Sequence, residues 1–116
     1  MVKKKADRPV KIMEAMMGGP GRGILTEIGT LEETMGNARL FSTITLEPGS
    51  GIGPHNHVGE CELFCIISGT GIYLDDDTEV TLTAGDVAVL EEGHRHSIRN
   101  EGPEDLVFVA LIPLKR

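Results

Sequence analysis

GSGIGPHNHVGECELFCIISG, residues 49–69, places two histidines one residue apart ahead of two glutamates and an apolar run. Side chains at positions i and i+2 of a strand point to the same side, so His55 and His57 can enter one cavity. Glu62 follows across a short turn, and His96 lies much later in the chain. Imidazole and carboxylate groups suit divalent first-row metals. The histidine pair alone leaves two interpretations open: a metal clamp, or two solvated side chains at a strand end.

The rest of the chain has the pattern of short strands separated by turns. Segments rich in β-branched and apolar residues are ARLFSTITL (38–46), CELFCIIS (61–68), GIYL (71–74), EVTLT (79–83), VAVL (87–90), HSIRN (96–100) and LVFVALIPL (106–114). MMGGPGRG (16–23) has the composition of a flexible loop, and LEETMGN (31–37) fits a short helical turn or a hairpin connection. Because turns recur about every ten residues and no long helical period is present, the sequence predicts an all-β sandwich or barrel.

The composition excludes several classes of function. The chain has 116 residues, of which 11 are Lys or Arg and 18 are Asp or Glu, so the net charge is −7. This acidic balance and the lack of a helix-turn-helix pattern disfavour nucleic acid as a partner. The basic start MVKKKADRP is not followed by an apolar stretch, and no run is long enough to cross a membrane. We therefore expect a cytoplasmic, one-domain protein without membrane contacts.

Glycines extend the histidine pattern to a much more specific one. Residues 49–69 read G-x5-H-x-H-x4-E-x6-G, and residues 85–100 read G-x5-E-x-G-x2-H-x3-N. The two segments resemble the signature motifs of the cupin superfamily. Fifteen residues separate Gly69 from Gly85, which is similar to the shortest spacer of small single-domain cupins. One position departs from the family pattern, because Glu91 stands where cupins usually have proline.

The resemblance implies a fold, a metal site and an oligomer. The implied fold is an all-β jelly-roll barrel of two antiparallel sheets over residues 38–116, with residues 1–37 forming a loop and first strands that pack on it. The implied cofactor is one divalent transition metal per chain, which could be Mn, Fe, Ni, Cu or Zn. Cupins also commonly dimerise. The implied metal ligands are His55, His57, Glu62 and His96.

Two neighbouring side chains could be mistaken for these ligands. His94 forms a second HxH pair with His96, but it follows Gly93 in a turn and is expected to be an exposed loop residue. Glu60 competes with Glu62 as the carboxylate, but the motif spacing favours Glu62, and Glu60 is expected to be a solvated loop acid.

The sulfur-containing residues do not indicate a site of their own. Cys61 and Cys65 would lie about 13 Å apart in a strand, too far to bridge each other, so we expect them to be buried small apolar residues. The methionines near the N-terminus are expected to pack the first segment and not to bind a soft metal; they are Met13, Met16, Met17 and Met35.

Two runs, LFCII (63–67) and LVFVALI (106–112), are apolar on both strand faces. A strand with one face in water normally alternates between apolar and polar residues. A second sheet of the same chain could cover the extra face, but a chain of this length has little to spare for it. The sequence therefore favours a homodimer.

The ligand set also limits the function. Three neutral imidazoles and one carboxylate leave two positions on an octahedral ion, which suits a small ligand that chelates through two oxygens. We first expect a metal-dependent enzyme, of oxygenase or isomerase type, acting on a small oxygen-rich metabolite. The alternative is a non-catalytic module that binds or senses a sugar or organic acid. Catalytic candidates beyond the ligands are Tyr73, Ser42 and Thr43.

Overall fold

Ten β-strands form the fold in a computed structural model that describes residues 1–115. The strands are β1 (Val10–Glu14), β2 (Arg22–Glu27), β3 (Ala38–Leu46), β4 (Gly51–Asn56), β5 (Glu62–Ser68), β6 (Gly71–Asp75), β7 (Thr78–Leu82), β8 (Val87–Leu90), β9 (Arg95–Arg99) and β10 (Leu106–Pro113). Within these residues, helical structure is limited to two 3₁₀ turns, Lys5–Asp7 and Met16–Gly18. No helix of this part of the chain is long and apolar enough to span a membrane.

The strands form two antiparallel sheets, which confirms the predicted all-β jelly-roll class. One sheet has six strands in the order β1-β2-β3-β10-β5-β8, and the other has four in the order β4-β9-β6-β7. The loop predicted at residues 16–23 is shorter than expected, because it contains a 3₁₀ turn and β2 already begins at Arg22. Residues 31–36 form turns and no strand.

Alternation along the strands sorts the side chains between two environments. In β10, the side chains of Leu106, Phe108, Ala110 and Ile112 are buried between the sheets, while the residues between them are half-buried on the outer face. The inner face of β5 likewise carries Glu62, and the apolar residues that follow it on that face belong to the core. This alternation places one carboxylate of β5 inside the barrel.

An aromatic contact joins the two sheets at the centre of the core. The rings of Phe64 and Phe108 lie 4.6 Å apart between their centroids, and Tyr73 of the four-stranded sheet meets Phe64 edge-on at 6.2 Å. Such contacts add to the hydrophobic effect of burying large rings. Both the ring of Phe108 and that of Phe64 are almost fully buried. The packing fixes the distance between the sheets at the level of the motif histidines.

The last residue of the second motif closes the loop between β9 and β10. Asn100 is 1% exposed, and its side-chain amide donates to the carbonyls of Leu46 and Glu104 at 2.8 and 2.7 Å. Its carbonyl oxygen accepts from the backbone N–H of Gly102. Every side-chain hydrogen-bonding group of this buried amide thus has a partner, as buried polar groups require. Asn100 therefore stabilises the end of the strand that carries His96.

Gly69 shows why the first motif ends in glycine. Its φ is +82°, a left-handed conformation that side-chain-bearing residues rarely adopt. A Cβ at this position would also collide with the carbonyl of Asp105. The turn between β5 and β6 consequently requires glycine for conformation and for space.

Truncating Phe108 tests the assignment of this ring to the core. We expect Phe108→Ala to lower the free energy of unfolding by about 3 to 5 kcal/mol, because it removes a buried ring and leaves a cavity. Urea unfolding followed by circular dichroism measures this loss. Val80→Ala, on an exposed position of β7, should change stability by about 0.5 kcal/mol or less. Equal effects of the two substitutions would contradict the assignment of Phe108 to the core.

Candidate metal centre

Both sheets contribute side chains to a cluster of three imidazoles and one carboxylate. His55 on β4 pairs directly with His96 on β9, His57 lies one residue beyond the end of β4, and Glu62 begins β5 of the opposite sheet. One potential ligand atom from each of the four residues lies within 4.8 Å of the other three. The Nε2 atom of His55 is 3.2 Å from those of His57 and His96, and Glu62 Oε1 is 3.1 Å from the latter two. The two motifs therefore meet in space.

Hydrogen bonds on the far side of the rings orient His55 and His57. His55 Nδ1 donates to the carbonyl of Gly53 at 2.8 Å, and His57 Nδ1 donates to Glu60 Oε1 at 2.7 Å. Carbonyl and carboxylate oxygens only accept, so each Nδ1 must carry the proton. In the neutral rings, both Nε2 atoms are then unprotonated and directed into the cluster.

His96 is held by aromatic neighbours. Its ring stacks on Phe64 with centroids 5.1 Å apart, and its Nδ1 lies 2.9 Å from the hydroxyl oxygen of Tyr73. Burial raises the pKa of Tyr73, so this phenol stays neutral at physiological pH. Tyr73 is thus in contact with the cluster through His96 and does not line the cavity itself.

The electrostatics of the cluster fit a bound cation. Burial lowers the pKa of His55, which keeps its imidazole neutral and able to ligate near neutral pH. Its Nε2 atom lies 3.2 Å from that of His57, which is in turn 3.1 Å from the carboxylate of Glu62. Nitrogen and oxygen acceptors at such distances repel one another unless a positive charge lies among them. Three imidazoles and a carboxylate suit a divalent first-row transition metal.

Glu60 has a role that sequence reasoning missed. The expectation of a solvated loop acid is wrong, because Glu60 is only partly exposed and links His57 to Arg39. Arg39 Nε donates to Glu60 Oε2 at 2.7 Å, and Nη2 donates to Oε1, which also accepts from His57. Hydrogen bonds from Arg39, followed by that from His57, lower the pKa of Glu60 to about 2. Arg39 lies on β3, 21 residues before the loop that carries Glu60, and no spacing rule connects the two residues.

Of the other candidate residues, Ser42 lines the cavity, whereas His94 and Thr43 do not. His94 is exposed and bonds Asp76 at 2.7 Å, which confirms that it is a loop residue outside the cluster. Ser42 lines the cavity next to the cluster. Thr43 does not reach it, because strand alternation turns this residue to the outer face, where its hydroxyl accepts from Arg8.

Both cysteines are free and lie outside the cluster. The expectation that they are buried needs correction, because Cys61 and Cys65 are only half-buried within the chain. Cys65 has the parity of Leu63 and faces the outer side of the six-stranded sheet, opposite to Glu62.

An open cavity of about 560 Å³ adjoins the cluster. Its walls include three of the four cluster residues, His55, His57 and Glu62, together with Ser42. Most of the remaining lining is apolar, and the charged side chains around it are Lys11, Glu27 and Arg39. A small molecule in this cavity would contact the face of the cluster that protein groups leave accessible.

Comparisons with known proteins agree with this architecture. Residues 42–112 match the family model described as "Cupin domain", so the chain belongs to the cupin family. The chain is 37% identical over 114 residues to the "Oxalate-binding protein" of Thermotoga maritima, covering 98% of this chain and 94% of that protein. A crystal structure described as a predicted oxalate decarboxylase from Thermotoga maritima has a TM-score of 0.94 and 36% identity, covering 99% of this chain and 100% of the other.

More distant structures share the fold alone. The structure of the protein TT1209 from Thermus thermophilus has a TM-score of 0.64 at 21% identity, covering 69% of this chain and 75% of that one.

Glu60→Gln tests the link between Arg39 and His57, because the stability that the link contributes should depend on pH. The folded-state pKa of about 2 lies below the ordinary value of 4.5, so the carboxylate stabilises the fold above pH 4.5 and loses this effect as the pH falls toward 2. The wild type should be more stable than Glu60→Gln at neutral pH, and the difference should shrink across that window. Urea unfolding at several pH values measures it.

Glu32→Gln, on an exposed glutamate, provides the matched control and should show little difference at any pH. A stability difference for Glu60→Gln that stays constant from neutral pH down to pH 2 would contradict the ionised link.

Proposed function

We propose that this cupin binds one divalent transition-metal ion per chain, Mn, Fe, Ni, Cu or Zn, and uses it to bind a small organic acid. The observation that carries this proposal is the convergence of four ligand atoms beside an open cavity. The relative named "Oxalate-binding protein" supports a dicarboxylate of the oxalate class as ligand. The metal ligands are His55, His57, Glu62 and His96.

The charges of the site suit an anion. Three neutral imidazoles and one carboxylate would leave a divalent ion with a net charge of about +1, and an octahedral ion would retain two positions for ligand oxygens. On the cavity wall, the charge of Lys11 is opposed by that of Glu27, and Arg39 is paired with Glu60, so the positive charge available to an anion would be that of the metal ion. The hydrogen bonds to Gly53 and Glu60 hold the rings of His55 and His57 in place. A carboxylate entering the cavity thus meets positive charge and preoriented groups.

Catalysis is the second candidate. The description of the structural relative as a predicted oxalate decarboxylase favours a reaction in which the carbon–carbon bond of oxalate breaks, carbon dioxide leaves and a proton is added to give formate. On the cavity wall, the hydroxyl of Ser42 is the candidate donor of this proton. Tyr73 does not line the cavity and contacts the cluster through His96. The oxygenase and isomerase hypotheses use the same cavity, but no residue in the described range favours them.

Ligand substitutions test the metal site. His57→Ala and His96→Ala should each strip the metal, because each removes one of four donors. His94→Ala should retain one ion per chain, because His94 bonds Asp76 outside the cluster. Elemental analysis after dialysis against limiting metal measures the stoichiometry. Loss of metal from His94→Ala as complete as that from His96→Ala would show that the cluster is not the site.

Oxalate titration tests the ligand class. Calorimetry should detect oxalate binding to the metal-loaded protein, no binding after treatment with a chelator, and recovery when metal is restored. Oxalate binding of equal strength in the metal-free protein would contradict the proposal. Formation of formate and carbon dioxide in the same samples would favour the decarboxylase candidate, and binding without turnover would favour the binding module.

We also propose that a second copy of the chain covers the outer face of the six-stranded sheet. On β8, the side chains of Val87 and Val89 are 57% and 52% exposed, and on the neighbouring strands Cys65, Val109 and Leu111 are half-buried on the same face. A contiguous apolar surface of this kind is typical of an interaction site. A stable pair would bury more than about 1,000 Å² in total.

Sedimentation tests the dimer. The wild type should sediment as a species of twice 12.5 kDa at micromolar concentration, whereas Val109→Lys should dissociate it or aggregate, because it introduces charge at the centre of the apolar face. Val80→Lys, on the exposed side of the other sheet, should leave the dimer intact. A monomeric wild type would refute this proposal.

A further inference from the structure

We propose that the preferred ligand of the cavity is an amphiphilic acid, with a chelating 2-oxo or 2-hydroxy carboxylate head and an apolar side chain of several carbons, in preference to oxalate itself. This inference rests on the proposed metal-dependent binding of organic acids and names the ligand class more narrowly. It follows from the mismatch between a small, fully polar dicarboxylate and the walls of the cavity.

The cavity is larger and more apolar than a dicarboxylate requires. Its volume of about 560 Å³ falls within the range of about 300 to 1,000 Å³ typical of small-molecule sites. The ligand atoms of the cluster occupy only one part of the lining. Apolar side chains from β1, β3, β4 and β10 form much of the rest, and they include Met13, Leu40, Ile44, Ile52 and Ile112. Oxalate has no carbon beyond its two carboxyl groups and cannot use these walls.

Two apolar side chains of this lining are only partly buried. Met13 and Leu40 pack against the core, yet both remain half-exposed within the chain, and both line the cavity. Apolar side chains that border an open cavity beside a polar cluster gain stability when an apolar group displaces water from them. Each methylene that a ligand buries there would strengthen binding by about fourfold in Kd.

The turn between β1 and β2 supplies a further apolar wall of adaptable shape. Met16 and Met17 line the cavity from this turn, which is fixed against β4 because the N–H of Gly51 donates to the carbonyl of Pro20 at 2.9 Å. A Cβ on Gly53 would collide with the carbonyl of Met17, so the two backbones approach each other closely. Methionine side chains fit apolar groups of different shapes. The backbone of this wall is therefore preformed while its side chains can adjust.

Backbone strain in the same turn supports a role in binding. Ala15 and Met17 adopt left-handed conformations with φ of +49° and +50°, which cost free energy in residues with a side chain. Met17 is also 63% exposed, so the strain is not compensated by burying its thioether. Strained residues are concentrated at ligand sites, where the geometry serves function. Here the strained position directs an apolar side chain to the cavity.

Charge explains why the ligand should still be an acid. Lys11 lines the cavity, and within residues 1–115 its ammonium group has no carboxylate partner. Arg39, by contrast, is already paired with Glu60. Glu27 lines the same cavity and offsets this charge, so a metal site of net positive charge is what favours an anionic head, while the apolar walls favour an uncharged tail.

A homologous series of acids tests the inference on metal-loaded wild-type protein. Calorimetry with pyruvate, 2-oxobutanoate, 4-methyl-2-oxopentanoate and 2-oxooctanoate should show Kd falling with chain length, by roughly tenfold or more from pyruvate to 4-methyl-2-oxopentanoate. Oxalate should bind more weakly than the longer acids. Constant or decreasing affinity along the series, or oxalate as the tightest ligand, would overturn the inference.

Met13→Gln adds a test of the wall itself. This substitution keeps the length of the side chain but makes it polar, so it should reduce the gain in affinity between pyruvate and 2-oxooctanoate. Met35→Gln makes the same change at a position outside the cavity and 83% exposed, and it should preserve the gain. A gain unaltered by Met13→Gln in folded, metal-loaded protein would remove Met13 from the binding wall and contradict the assignment of the tail site.

The series also separates this inference from the proposed function. If metal-loaded protein binds neither oxalate nor any 2-oxo acid, the proposal of metal-dependent acid binding fails. If oxalate binds in a metal-dependent manner but longer acids gain nothing, only the amphiphilic ligand is excluded.

Discussion

Hydrogen bonds from the Nδ1 atoms of His55 and His57 orient the imidazole rings on which the cluster depends. The carbonyl of Gly53 and the carboxylate of Glu60 accept from the Nδ1 atoms of His55 and His57, which directs the Nε2 atoms of both rings into the cluster. Histidines that bind metals usually have such partners, and these fix both ring orientation and tautomer. Without them, the imidazoles could rotate or exchange protons, and the four groups would not present a coherent set of ligand atoms.

The barrel maintains this arrangement by connecting the cluster to its core. Phe64 of the six-stranded sheet stacks on the ring of His96 and meets Tyr73 edge-on, and both of these belong to the four-stranded sheet. The same aromatic ring therefore supports a site residue and joins the sheets. Glu62 comes from the six-stranded sheet, whereas the three histidines come from the four-stranded one or its margin. The geometry of the cluster therefore depends on how the two sheets pack, and packing in a dense core resists change.

The spacing of the residues in the two motifs, which resembles that of cupins, made it possible to predict the fold and the cluster from the sequence. His55 and His57 share a parity, and the glycines mark turns whose spacing sets the strand lengths, as Gly69 illustrates with its left-handed backbone. The contact of Arg39 with Glu60 could not be anticipated, because it joins a strand to a loop 21 residues away with no periodic signal. Thr43 was predicted as a site residue and does not reach the cavity. One residue of register decides whether a hydroxyl on β3 faces the cavity, as that of Ser42 does, or contacts Arg8, as that of Thr43 does.

The apolar part of the cavity could not be predicted from the sequence. Met13 and Met16 pack against the core, as expected for the first segment, whereas Met17 and Met35 are largely exposed. Met13 and Met16 also line the cavity beside the cluster. Methionines have no spacing rule that links them to a distant motif, and the pairing of β1 with β2 brings them there. The N-terminal segment thus contributes to the shape of the site, whereas the two motifs supply its polar chemistry.

X-ray absorption spectroscopy of protein loaded with one zinc or manganese ion per chain tests the central claim most directly. The account predicts a first coordination shell of nitrogen and oxygen at about 2.0 to 2.3 Å, with the multiple scattering of about three imidazole rings. In the His57→Ala protein, any residual spectrum should lose part of this imidazole signal. A first shell made of oxygen alone, without imidazole scattering, would contradict the claim that His55, His57, Glu62 and His96 hold the metal.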